Sequence, residues 1–166
     1  MGGSKYSIAS ACCVALNETL TDLRIPHEIL GFTEIYKLQH YIFKRFGTQL
    51  TKDKMLRIMA SDKVRMGNNA DGESVHWAAQ RLMERNEKRK LLIVLSDGSP
   101  AGCFEGDGRA YLKHICGLIE TESPIDLVGI GIATDSPRRY YKHSVVVSNP
   151  NQLDTVLFGV LKDFLV

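Results

Sequence analysis

The chain has 166 residues, 44% of them hydrophobic and 24% charged, with a net charge of +2. That length suits a single domain over 1–166 with a closed apolar core. So even a balance excludes a global electrostatic case for nucleic acid, and the basic runs at 85–90 and 138–142 read as solvated ends of elements.

No apolar stretch approaches the ~18 residues of a membrane span, and there is no signal-peptide pattern. The four cysteines, Cys12, Cys13, Cys103 and Cys116, contain no C-x-x-C pair. They read as reduced thiols of a cytoplasmic protein rather than a zinc knuckle or a disulfide framework.

Residues 5–24 carry Ile8, Ala11, Cys12, Ala15, Leu16 and Leu23 at helical spacings. After Pro26, HEILGFTEIY reads as a strand turning at Gly31 into a second short strand. Residues 38–59 read as a helical region interrupted near Gly47. SDKVRMGNNADG is polar and glycine-containing, hence a loop, and Val75, Ala78, Ala79 and Leu82 mark a helix over 73–85. LLIVLS is a strand apolar on both faces, followed by the turn-rich SDGSPAGCFEGDG. Tyr111, Ile115, Leu118 and Ile119 mark a helix over 109–122. IDLVGIGIA is a second buried strand, HSVVVSN a short third, and 152–166 a closing helix. The glycines of GIGIA read as allowing close packing.

Continuously apolar strands alternating with amphipathic helices define an α/β fold with a mainly parallel sheet covered on both sides. The strands near 27–33, 91–96 and 125–132 are expected to be mutually parallel, with HSVVV at one edge. Ligands of such sheets sit beyond the carboxyl ends of the strands. Asp97 stands there, directly after a strand, and Asp71 precedes a helix in the loop NNADGES.

Each aspartate has an ordinary explanation: an Asx-turn for Asp97, a helix N-cap for Asp71. Two loops bringing aspartates to one sheet edge would instead make a hard-cation site of the Mg²⁺ type. The chain has no G-x-x-x-x-G-K-S/T, no G-x-G-x-x-G after a strand, no nucleophile elbow and no H-x-x-x-H pair. No catalytic group is assigned. Trp77, the single tryptophan, reads as packing against the sheet.

The segments NADGESVHWAAQRLMERNEKRKLLIVLSDGSP, YLKHICGLIETESPIDLVGIGI and SPRRYYKHSVVV resemble the von Willebrand factor A (VWA) domain of the cobaltochelatase CobT subunit family. HEILGFT and LQHYIFK resemble earlier segments of it, so the likeness runs over nearly the whole chain. It implies a three-layer α/β/α Rossmann-like VWA fold and a metal-ion-dependent adhesion site. That site is built from a D-x-S-x-S motif after the first strand, a Thr or Asp in a second loop and an Asp after a later strand. By the resemblance, Asp71 and Asp97 are the second and third elements.

The D-x-S-x-S motif itself is not in the sequence, and Met1-Gly2-Gly3 matches the residues that usually follow it. The usual first strand, which lies between those at 27–33 and 91–96, is therefore expected to be lacking. That leaves two strand edges unpaired and a route to self-association, and Mg²⁺ is expected to bind weakly. The resemblance implies a non-catalytic module partnering an AAA+ ATPase subunit and a large chelatase subunit in cobalamin biosynthesis. Two alternatives stand beside it: a partner of a MoxR-type AAA+ ATPase outside cobalamin chemistry, and a Mg²⁺-dependent phosphoryl-transfer enzyme.

Overall fold

A computed structural model describes residues 3–61, 64–65, 67–98, 100–101, 106–149 and 152–165, except the side chains of 153, 154 and 165. Cys103 and Ser99 lie outside these residues. The elements run α1 (Gly3–Asp22), β1 (Ile29–Ile35), β2 (Lys37–Lys44), α2 (Lys52–Met59), α3 (Asp71–Met83), β3 (Lys90–Ser96), α4 (Gly108–Glu122), β4 (Ile125–Ile132), β5 (His143–Val147) and α5 (Leu153–Leu165). A short 3-10 helix at Ser136–Arg139 joins β4 to β5.

The apolar strands assemble as expected into a parallel sheet of order β3-β4-β5, with β5 at the edge. β4 is central, and every residue of it except Asp126 is buried. Helices cover both faces, as a sheet without a polar face requires. On one side Val75, Ala79, Leu112, Ile115 and Ile119 of α3 and α4 pack on Val94 and Leu127. On the other, Ala9 and Cys12 of α1 and Leu157 and Val160 of α5 pack on Val128, Ile130 and Ile132. α1 also turns Val14 and Cys13 towards Met55 and Met59 of α2 and Phe43 of β2. Its apolar residues thus serve two clusters on different flanks.

The glycines of β4 do what close packing demands. A Cβ on Gly129 would overlap the Tyr141 ring, and one on Gly131 would overlap the Thr134 carbonyl. Burial holds the Cys12 thiol up at about 11 and the Cys116 thiol at about 12, so both stay protonated, unreactive thiols at neutral pH.

Three expectations need correction. The 38–59 region, read as helical with a break near Gly47, is helical only over Lys52–Met59, because 37–44 form β2, paired antiparallel with β1. Leu38, Tyr41 and Ile42 mimic a helical spacing, but aromatic and β-branched residues here fit a pleated surface beside a partner strand. The chain also reverses at Tyr36, whose φ is 62°, and not at Gly31. Gly31 lies mid-strand, where a Cβ would run into the Phe43 ring across the hairpin.

Finally, β1 is not hydrogen-bonded into the parallel sheet: the hairpin β1-β2 is a separate sheet. Its direction is nevertheless that of β3. Glu28, before β1, pairs with Arg81 near the end of α3, while Glu34 bridges Asn68, just before α3 begins. Since α3 feeds β3 through a short loop and Asp97 returns to the Asp71 end, β1 and β3 point the same way. Between them lies a slot with a cavity volume of about 390 Å³, where the expected first strand would run.

Candidate metal centre

The two aspartates singled out by sequence come together at one end of this slot, and both line it. Asp97 follows β3 in a tight turn in which the Ser96 hydroxyl donates to the Gly98 carbonyl at 2.9 Å. Its own carbonyl accepts from Lys5 Nζ at 3.0 Å, which ties the start of α1 to the carboxyl end of the sheet. The Ala101 amide donates to the Asn69 carbonyl at 3.1 Å and joins the two aspartate loops.

Asp71 is not the N-cap that its sequence position suggests. Ala70 occupies the cap and Asp71 is the first helical residue. Its side chain is 1% exposed. The carboxylate accepts from the Asn69 amide at 2.6 Å, and the helix N-terminus favours negative charge there. Burial nevertheless dominates: it pushes the Asp71 carboxyl up to about 7, the Asn69 bond opposes it, and the Asp97 charge adds to the rise. The pair is thus an acidic couple that one positive charge would relieve.

Next to it on the slot wall, the Ser74 hydroxyl donates to the Ala70 carbonyl at 2.8 Å and lies 3.3 Å from His40 Nε2. The His40 ring stacks on Trp77, centroids 4.1 Å apart and planes within 7°. Trp77 is therefore half-buried on the slot wall rather than sunk against the sheet. Sequence reasoning missed His40, because its reading as helix hid its position on β2.

Two hard oxygen ligands suit Mg²⁺ chemistry in kind but fall short in number, since the ion wants about six oxygens in near-octahedral array. Among the described residues, no group of three or more His, Cys, Asp or Glu side chains could hold a metal ion. The donor set fits only as part of a larger one.

A three-layer α/β/α domain with acidic loops at the carboxyl edge of its sheet defines a VWA-type fold. The fold matches that of proximal thread matrix protein 1 from the mussel byssus, with a TM-score of 0.63 at 14% identity, over 95% of this chain and 41% of that one. The chain belongs to the family described as the cobalamin biosynthesis protein CobT VWA domain, whose model matches residues 34–165. A relative, the uncharacterized protein YojO of Bacillus subtilis (strain 168), is 27% identical over 170 residues. That match takes in 92% of this chain but 26% of the relative, so the chain spans about a quarter of that protein's length. Among the described residues, no helix is long and apolar enough to cross a membrane.

Proposed function

We propose that the chain is a non-catalytic VWA module of a CobT-like cobaltochelatase subunit, acting through protein contacts with an AAA+ ATPase subunit and a large chelatase subunit. The observation that carries this is the family match over 34–165, which includes both aspartate loops. Its contribution is recognition: Asp71 and Asp97 present an acidic end to the slot, with Lys5 and Asn69 holding the loops that carry them. Where a hard divalent ion binds there, it supplies a Lewis acid for an oxygen donor of the partner. Nucleotide hydrolysis belongs to the ATPase, since the sequence carries no phosphate-binding loop.

The test is association of the purified chain with the AAA+ subunit, followed by sedimentation with Mg²⁺ and with a chelator. Complex formation that weakens about tenfold or more on Asp97→Ala supports the reading. Unchanged affinity for both Asp97→Ala and Asp71→Ala removes these carboxylates from the interface. A metal-dependent phosphatase activity of the chain alone, lost in Asp97→Ala, would turn the assignment to an enzyme.

A further inference from the structure

The hairpin β1-β2 reverses direction in a single residue. Ile35 faces Lys37 across the turn, and Tyr36 alone closes it with a φ of 62°. In that left-handed region a Cβ crowds the backbone, so glycine or asparagine is the usual occupant and a bulky aromatic costs stability. Among the described residues, Arg24 and Ala133 also have a positive φ without being glycine, and each has a local reason. Arg24 follows α1, where the Ile25 amide donates back to the Leu20 carbonyl at 2.8 Å to close the helix end. The Ala133 amide donates to the Val147 carbonyl at 2.8 Å and extends the β4-β5 ladder. Tyr36 has no such reason.

Nor does its ring offset the cost within the chain. Tyr36 is fully exposed, whereas the other five tyrosines are buried or half-buried. Tyr6 and Tyr41 place their hydroxyls on Met59 and Gln39, and Tyr141 packs under Gly129. Among the described residues nothing bonds to or stacks on the Tyr36 ring. The tip that carries it is nevertheless clamped. Glu34 and Asn68 exchange N–H to C=O hydrogen bonds at 2.9 Å in both directions. Gly67 lies so close that a Cβ on it would overlap the Glu34 carbonyl and the Ile35 side chain. A strained, rigidly held, solvent-facing aromatic suits an interface anchor, because it offers a large contact area with little freedom left to lose.

The clamp also sets where the ring stands. Asn69, next to Asn68, donates to Asp71 at 2.6 Å, so the hairpin tip and the candidate metal centre share one rim of the domain. The charges that the tip shows outward are cationic. Lys37 and Arg65 are exposed, the Arg65 amide meeting the Tyr41 hydroxyl at 3.4 Å, while Glu34 has one carboxylate oxygen turned inward and buried.

We propose that Tyr36 anchors this rim on the AAA+ subunit, its ring entering an apolar pocket of that subunit whose edge carries carboxylates for Lys37 and Arg65. A protruding ring has no walls to enclose a small ligand, so the concave side belongs to the partner. The backbone strain is retained because the ring is used between molecules and not within this one. The inference rests on the reading of the chain as a partner of that subunit, and it needs neither a metal ion nor the aspartates.

The test combines the full chain with the purified AAA+ subunit in the presence of a chelator, with association read by sedimentation and folding by thermal unfolding. Tyr36→Gly is expected to weaken association about tenfold or more while its thermal midpoint equals or exceeds the parent's, since glycine relieves the backbone. Tyr36→Phe, which keeps the ring, should recover most of that loss. Lys37→Glu combined with Arg65→Glu should weaken association about threefold or more at low salt, and less at high salt. Unchanged association in Tyr36→Gly overturns the inference. So does a lowered midpoint in that variant, because the ring is then held by its own chain. Loss on Asp97→Ala with none on Tyr36→Gly removes this anchor and keeps the functional reading, whereas a parent that never associates removes both. Self-association of the chain alone that disappears in Tyr36→Gly also overturns the inference, because the pocket then belongs to a second copy.

Discussion

Asp71 couples the candidate site to folding, and replacing it with asparagine isolates that coupling. The folded carboxyl is held at about 7 by burial against an ordinary 3.8. At 1% exposure there is no solvent to screen it. Between those two values the unfolded chain has lost the proton and the folded chain retains it, so stability falls as pH rises. Each pH unit costs about 1.4 kcal/mol, which gives roughly 4 kcal/mol in all once the pH exceeds the folded value. About 1.5 kcal/mol of this is already lost at pH 5. Asp71→Asn keeps the shape and an oxygen for the Asn69 amide but cannot ionise. Urea unfolding of both proteins at pH 5 and pH 8, without divalent ions, should therefore show the variant gaining roughly 3 kcal/mol on the parent between the two conditions. Other titrating groups cancel in the difference. His27 and His40 are among them, both lowered by burial and so costing stability as the pH drops below about 6.5. A stability difference that does not change between pH 5 and pH 8 would refute the claim that Asp71 folds protonated.

Titration calorimetry of the chain with Mg²⁺ should detect only weak binding, because Asp71 and Asp97 supply at most two fixed ligand side chains; tight stoichiometric binding lost in Asp97→Ala would mean that other donors complete the site. Glu28→Gln breaks the Arg81 ion pair at a side chain 5% exposed, against 27% for Arg81. After allowance for solvent at the arginine it should cost about 2 kcal/mol in urea unfolding, and no loss would show that β1 is held without it. Gly129→Ala drives a methyl into the Tyr141 ring beneath β4. About 1–3 kcal/mol of destabilisation is expected, and a thermal midpoint equal to the parent's would show that the ring can move aside.

The sequence by itself determined much of this protein. The apolar runs LLIVL and IDLVGIGI could only be buried strands, and the helical spacings of 73–85 and 109–122 supply their covers. The order of these elements, with the D-G-E and S-D-G-x-P motifs, was enough to indicate the family. It also placed Asp97 at the carboxyl edge of the sheet, because a loop after a parallel strand must emerge there, whereas Asp71 was set beside it only by the family resemblance. Local pattern could not decide 37–44, whose residues fit a helix or a strand until β1 offers a ladder to pair with. Nor could it decide the state of Asp71, since a carboxylate one residue past a cap reads the same whether solvated or sealed. Burial and proximity to Asp97 raise it, and both are long-range. The slot is tertiary in the same sense. Residues of α1, β1, α3 and β3 that lie far apart in the chain, Thr33 and Asp97 among them, come together only by lining one cavity.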